Sequence, residues 1–490
     1  MNMEKKLGTV RDVIHDYIYF TVPAGNEKIS EKDIIDSEWV QRLRQIFQLQ
    51  SAWLIYPNAV HLRFQHSLGV MQMAGDMAYR LYPHFKKAFP EAHIPKERNY
   101  VEEIFRLAGL LHDIGHGPFG HLMDDAYTYP NYKKTHEDIS AAIIKEKLGS
   151  MIRSLRRSPH GTFRAPISPK QITKFIKMPN NFDNYSLWEQ VFAKIMMGIY
   201  SADAMDFLLR DQYFCGTTEF GKINHRNLVD NTLITKNGMT LKKNALPAFR
   251  TFLQTRFNMF RHVYLYEKNE MYDLSFSKLL PEVMKKMRVG NPHKNLARYK
   301  RITDFGLHHT VTSWYNKTGK KGKLGRKWRK LLLRRDIPLV KIMEEENFYH
   351  SVGEVDQMID KKILKSELKN KYSDYSEFSR IEPRISRTDI RLQQQFMDFE
   401  DEKDFRNNDN VKAMGLFDTV TGKFCAEEGN KYIKDIPLKY EIIRVYAPEK
   451  DVDETDKKEE KDDELKQGQL FPTHVNVGNE SDLRDDITSM

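Results

Sequence analysis

The sequence predicts a mainly α-helical protein with a smaller C-terminal α+β lobe. Three observations carry that expectation. Apolar residues recur at helical spacing through most of residues 36–290, and period-two alternation is confined to a short N-terminal stretch and to the region between Ala413 and Tyr446. At 490 residues the chain also exceeds what one hydrophobic core organises.

Residues 1–35 read as an N-terminal segment, with Tyr17 to Val22 forming a strand or hairpin before Pro23 and Gly25. Asp36 and Ser37 can cap a helix continuing through WVQRLRQIFQLQ, with Val40, Leu43, Ile46, Phe47 and Leu49 inward. From Ser67 to Tyr82, Leu68, Val70, Met71, Met73, Ala74, Met77, Ala78 and Leu81 keep a helical period. Further helices are expected at about 101–112, 136–148, 170–178, 187–211 and 246–268, giving a helical domain over 36–290. Residues 291–448 are expected to form the α+β region, including a hairpin from Ala413 to Phe424 with a turn at Thr421-Gly422, and a strand around Tyr440 to Tyr446. Within that region Lys317 to Arg335 is strongly basic. Its plain reading is a solvated loop followed by an amphipathic helix burying Trp328, Leu331 and Leu332; its functional reading is a surface for nucleic acid, nucleotide or an acidic partner. Residues 449–490, rich in lysine and acidic side chains and poor in apolar ones, are expected to be a disordered tail.

The totals exclude several classes. No apolar run approaches the ~20 residues needed to cross a bilayer, and the N-terminal MNMEKKLGTVRDVIHDY lacks the apolar core of a signal peptide. Two cysteines, Cys215 and Cys425, argue for a reducing compartment and against a cysteine zinc site, so a cytoplasmic location is expected. Mean hydropathy is -0.64. The net charge of +10 favours polyanionic ligands.

The chemistry concentrates in Arg106 to His121, RLAGLLHDIGHGPFGH. A helix with an apolar face ends at His112-Asp113, just where Gly115, Gly117, Pro118 and Gly120 stop regular helix. A nitrogen and an oxygen ligand side by side, then two more histidines on a glycine-rich turn, suit a divalent metal holding phosphate oxygens. His66, His112, Asp113 and Asp203 form the candidate metal set, drawn from three helices that can converge only in a bundle interior. Two imidazoles and two carboxylates fit Mn, Mg, Fe, Ni or Zn. His116, His121, Asp124, His136 and Glu137 form a second cluster suited to proton transfer, with Asp124 able to fix a histidine tautomer. Thr135 with Glu137 also reads simply as a capped helix start. Arg63, Arg256, Arg261 and His262 could bind a phosphate chain. Neither a G-x-x-x-x-G-K-[ST] loop nor a G-x-G-x-x-G fingerprint is present in the sequence.

The order His66, His112-Asp113, Asp203 resembles the HD-domain metal-dependent phosphohydrolases. The strings QRLRQIFQL (41–49), HLRFQHSLGV (61–70), LAGLLHDIGHGPFGH (107–121), THED (135–138), SADAMDFLLRD (201–211) and TRFNMFRHVY (255–264) narrow the resemblance to the deoxynucleoside triphosphate triphosphohydrolases. It implies an HD-domain helical bundle over 36–290, and hydrolysis of (deoxy)nucleoside triphosphates to nucleoside and inorganic triphosphate by metal-activated water at the α-phosphorus. It implies His66, His112, Asp113 and Asp203 as metal ligands. His116 and His121 would face the α-phosphate and leaving oxygen, with Asp124, His136 and Glu137 in support. Gln48 and Leu49 would meet sugar and base edge, Arg63 and Arg256 the phosphates, and Asp211 the sugar 3′-hydroxyl. Asp36, Gln41 and Arg44 match residues that contact an activating nucleotide at a subunit interface; they also fit a capped helix with a salt bridge. A homo-oligomer, dimer or tetramer, is implied. Two departures stand out. Ala204 takes the place of a basic residue that commonly follows the metal aspartate, and Phe207 replaces a tyrosine that packs on the sugar, which loosens the preference for deoxyribose. Two other readings remain: an HD-type nucleotidase or phosphodiesterase, and a nucleotide or nucleic-acid sensor with weak turnover.

Overall fold

A computed structural model describes residues 7–25, 27–177, 182–236, 238–333 and 339–349. Between 364 and 448 it describes residues 364, 366–368, 371, 377–381, 415–421, 423–424, 429, 431–437 and 439–448. The expected tail at 449–490 lies outside the described residues. The chain is mainly α-helical, with strands near its N-terminus, a two-residue pair at Arg157–Ser158 and Gly161–Thr162, and others around residues 232–242 and toward its C-terminal end. No described helix is long and apolar enough to cross a membrane.

The chain opens with an antiparallel hairpin, Leu7–Asp12 with Asp16–Thr21, in which Asp12 faces Asp16. Two long helices follow as the centre of the fold, Arg63–Ala88 and Arg98–Leu111. Gly109 lets them cross closely, because a Cβ there would stand 2.7 Å from the Val70 backbone. That approach brings His66 on the first helix opposite His112 at the end of the second.

Three expected helices are interrupted, the first of them where a tertiary hydrogen bond competes with the helical one. The helix expected through residue 50 is a turn over Glu38–Gln41 and a tighter turn over Arg42–Gln45. Phe47 then bridges Leu62 in extended form. The buried carboxylate of Asp304 accepts the Phe47 N–H at 3.0 Å, and the Gln48 N–H goes to the His61 carbonyl. The long helix expected over 187–211 is two, Leu187–Met197 and Ala202–Cys215. Ser201 Oγ accepts the Ala204 N–H at 3.1 Å and starts the second, so Asp203 sits in a first turn instead of mid-helix. The helix expected over 246–268 runs Leu246–Met259, widens to a π-turn over Phe260–Tyr264, and restarts as Glu267–Lys286.

The chain divides into two compact units. The first spans residues 1–337, 346–358 and 381–442, so it extends past the boundary expected at 290. The reason is burial: Tyr299, Leu307 and Trp328, on helices Leu296–Tyr299, Asp304–Thr312 and Gly319–Leu332, belong to the main core. The expected hairpin near 413–424 also contributes here, as Gly415–Asp418 with Lys423–Phe424; Gly415–Asp418 pairs in parallel with Gly238–Lys242, which pairs with Thr232–Thr235. The second unit, described at residues 339–345, 364, 366–368, 371, 377–380 and 443–448, has a small core of Leu364, Leu368, Ile443 and Val445, with Glu344 accepting from Arg444 Nε at 2.5 Å.

The basic helix Gly319–Leu332 buries Trp328 and Leu331 and exposes Lys320, Lys321, Lys323, Arg326 and Lys327. Trp328 Nε1–H donates to His308 Nδ1 at 3.2 Å, and the rings of Phe119, Phe276 and Trp53 lie 5.4, 6.5 and 6.0 Å from that imidazole. Burial pushes His308 down to about 4. Folding thus requires its neutral form. Stability should be full above the unfolded value near ~6.5 and fall as pH drops from there toward 4, by about 3 kcal/mol at most. Urea titrations from pH 7 to 4 should show that slope in the wild type and a shallower one in His308→Gln. An equal slope in both would remove His308 as its source.

Candidate metal centre and histidine cluster

The His66 and His112 imidazoles present their Nε2 atoms to one another at 3.2 Å. Asp203 Oδ1 lies 3.0 Å from His66 Nε2 and 3.6 Å from His112 Nε2. These three side chains form a group able to hold a metal ion. Asp113 closes the fourth side, its oxygens 3.3 Å from His112 Nε2 and 3.9 Å from His66 Nε2. One Asp113 oxygen also accepts from Arg63 Nη1 at 2.5 Å.

The donor set suits a divalent cation on two grounds. Both imidazoles have Nδ1 already engaged: His66 donates to Asp206 Oδ2 at 2.8 Å, and His112 to the Gly109 carbonyl at 2.7 Å. That fixes each tautomer with the Nε2 lone pair directed to the shared point. The electrostatics agree. Burial disfavours a charge on His66, yet hydrogen bonds and charge from Asp203 and Asp206 outweigh it and raise its pKa to about 10. Burial likewise opposes ionisation of Asp113 and Asp203, but Arg63 and the histidines hold Asp113, and His112 and His66 hold Asp203, well below the usual carboxyl range. The carboxylates recruit a proton onto an imidazole where a cation would otherwise balance them.

Beside this centre, His116, His121 and His136 converge. His116 stacks on His136 with ring centres 3.6 Å apart, and His121 stands edge-on to both at 5.0 and 5.1 Å. Asp124 Oδ2 accepts from His136 Nδ1 at 2.5 Å and from its backbone N–H at 3.2 Å, while Thr128 donates to Oδ1 at 2.9 Å. His116 Nε2 lies 3.4 Å from Asp113 Oδ1, so the two groups touch through that carboxylate. Burial, together with the charge of Arg63, pushes His116 well below an ordinary histidine, leaving it neutral. Its loop is tied down from behind, where Arg42 Nη1 donates to the His116 carbonyl at 2.6 Å and Asp304 Oδ1 accepts the Phe119 N–H at 2.9 Å. Gly120 turns with φ +52°, and a Cβ there would press within 2.6 Å of Arg63 Nη2. Glu137 is not drawn into this cluster; it occupies the first turn of His136–Glu146, where Asp138 accepts the Thr135 N–H at 3.2 Å.

The remaining expected residues fall into two sets. Arg63, Gln48 and Leu49 are neighbours, with Arg63 Nη2 donating to the Gln48 carbonyl at 3.4 Å and Gln48 Oε1 buried without a partner. Arg256 Nη1 donates to the Ile199 carbonyl at 2.9 Å, just before the turn that carries Asp203. Asp211 accepts from His61 at 2.7 Å and from the Tyr264 hydroxyl at 2.7 Å, and Phe207 lies 6.2 Å from the Tyr264 ring. The second set is apart, at the surface. Asp36 pairs with Lys32, Gln41 joins the Ile35 carbonyl to Arg44 Nε, and the Arg44 guanidinium lies 3.6 Å over the Phe64 ring.

Sequence reasoning missed Asp206, Arg210, His15, His61, Tyr264 and Asp304. Asp206 carried a signal, since it follows Asp203 by three residues on one helix. His15 and Asp304 carried none, because each meets its partners across more than a hundred residues.

Residues 63–177 match the HD domain family, and the chain carries an HD domain that resembles those of the deoxynucleoside triphosphate triphosphohydrolases. An uncharacterised protein of Methanocaldococcus jannaschii is 30% identical over 56% of this chain and 50% of its own. The deoxynucleoside triphosphate triphosphohydrolase SAMHD1 of Homo sapiens is 39% identical over 24% of this chain and 18% of its own. The chain spans about half the length of the first curated relatives it matches. The crystal structure of a phosphohydrolase from Bacteroides thetaiotaomicron shares the fold, with a TM-score of 0.59 at 17% identity, covering 89% of this chain and 99% of that one.

Proposed function

We propose that the protein hydrolyses (deoxy)nucleoside triphosphates to nucleoside and inorganic triphosphate, with a divalent ion held by His66, His112, Asp113 and Asp203. The observation that carries this reading is the convergence of two Nε2 atoms, 3.2 Å apart, with Asp203 Oδ1 at 3.0 and 3.6 Å, beside a second cluster of histidines, His116, His121 and His136. A divalent ion there supplies a polarised phosphoryl oxygen and a more acidic water. Arg63 and Arg256 bring fixed guanidinium donors to the polyphosphate. His116, His121 and His136, with Asp124 holding His136 in one tautomer, pass a proton toward the 5′-oxygen as its bond to the α-phosphorus breaks. Water and the triphosphate thus yield a nucleoside hydroxyl and tripolyphosphate. Phe207 crowds a sugar by shape alone, so discrimination against ribose is expected to be modest, on the order of 10²-fold.

The test is incubation of the purified chain with dNTPs and NTPs, singly and mixed, across Mn, Mg, Fe, Ni and Zn, with products separated by ion exchange. Tripolyphosphate and nucleoside in equal amounts are expected. Release of orthophosphate from nucleoside monophosphates, or opening of cyclic nucleotides without attack on triphosphates, would instead assign the site to a nucleotidase or phosphodiesterase.

A further inference from the structure

Behind His66 lies a buried carboxylate that neither binds the centre directly nor belongs to the histidine cluster. Asp206 is fully buried and accepts four hydrogen bonds. Its Oδ2 takes His66 Nδ1 at 2.8 Å and Arg210 Nε at 2.9 Å; its Oδ1 takes Arg210 Nη2 at 2.9 Å and His15 Nε2 at 2.7 Å. His15 comes from the tip of the N-terminal hairpin, 191 positions away in sequence. Its neighbours at that tip, Val13, Asp16 and Tyr17, are exposed, yet its own side chain is only 6% exposed. The ring is aimed by both ends. Asp12 Oδ1 accepts the N–H groups of Ile14 and His15 at 2.9 and 3.1 Å, fixing the turn, and His225 stands edge-on to the imidazole at 5.8 Å. Arg210 also donates to Asp12 Oδ2 at 2.8 Å, so the hairpin grips Asp206 through two separate side chains. The long helix makes room for this: a Cβ on Gly69 would stand 1.9 Å from Asp206 Oδ1 and 2.7 Å from Arg210 Nη2.

A purely structural ion pair would need only Arg210 and Asp206. His15 adds a further donor on Oδ1 to the two from Arg210, tying the carboxylate to the hairpin, and the opposite oxygen is the one that orients His66. Groups that hold the far nitrogen of a metal-binding imidazole fix its tautomer and ring direction, and losing one typically weakens metal binding by about 10–100-fold. We infer that Asp206 and His15 are positioning residues for His66, so that docking of the N-terminal hairpin sets how tightly the centre holds its ion. This rests on the metal centre proposed above.

The test uses the full chain stripped with chelator and titrated calorimetrically with Mn²⁺ alone. His15→Ala should bind Mn²⁺ about tenfold more weakly, and His15→Gln, whose amide nitrogen can donate from the place of Nε2, should stay within about threefold of wild type. Melting midpoints in chelator should not separate His15→Ala from His15→Gln, although their metal affinities do. Should His15→Ala fail to fold, His15→Phe keeps the ring volume without the donor and should show the same tenfold loss. Wild-type affinity in the variant lacking the donor would overturn the inference, as would a glutamine variant as weak as the alanine one. Wild-type affinity in His66→Ala would instead overturn the metal centre itself.

Discussion

Asp203→Ala is expected to lose Mn²⁺ on dialysis and to hydrolyse nucleoside triphosphates at least about 10³-fold more slowly, equivalent to about 4 kcal/mol of barrier. The size follows from position. Asp203 Oδ1 is the atom nearest the His66 Nε2 on the open side of the centre and also stands within 3.6 Å of His112 Nε2. Removing it leaves two imidazoles and a carboxylate already shared with Arg63. The fold has little stake in the side chain. Ser201, not Asp203, caps the helix, the Asp203 side chain is 35% exposed, and His112 keeps the Gly109 carbonyl on its Nδ1. His66 keeps its Asp206 partner. The expected change in unfolding free energy is therefore within about 1 kcal/mol. Metal content after dialysis, turnover at saturating substrate and a urea melt on one preparation decide the matter. A variant that keeps its ion would put the centre elsewhere.

The parts of this site that were legible in the sequence are those that local pattern dictates. His112-Asp113 follows an amphipathic helix and precedes glycines, so its place at a helix end could be read from a dozen residues, and the helix does end at Leu111. The helices around residues 67–82 and 136–148 were likewise visible from their period, and lie at Arg63–Ala88 and His136–Glu146. What could not be read is where a distant acceptor overrides a local preference. Residues 46–48 have apolar spacing suited to a helix, but Asp304 captures the Phe47 N–H from 257 positions away. The break at Gly198 to Ser201 was signalled by glycine and a capping serine, yet the apolar period continues through it and hides the stop. The residues behind the ligands were invisible for a related reason: His15 sits at a hairpin tip beside exposed Val13 and Asp16, and no local neighbour marks it as buried.

A second substitution separates proton handling from metal holding. Asp124→Asn is expected to lower kcat about 10²-fold and to leave Mn²⁺ affinity within about threefold of wild type. The carboxylate touches none of the four candidate ligands; it accepts from His136 Nδ1, from the His136 N–H and from Thr128. Asparagine keeps that shape but withdraws the negative charge, so His136 loses the charged partner that fixes its tautomer. The effect passes onward through contact, since His136 stacks at 3.6 Å on His116, whose Nε2 reaches 3.4 Å toward Asp113. Steady-state rates at saturating Mn²⁺, read beside calorimetric metal titrations, give both quantities. Loss of the ion would make Asp124 part of the metal's support, and an unchanged kcat would remove the cluster from the reaction. Combining Asp124→Asn with His121→Asn supplies the sharper discrimination. Side chains that move one proton as a unit are strongly non-additive, so the double variant should be scarcely slower than the worse single one, whereas independent roles would multiply.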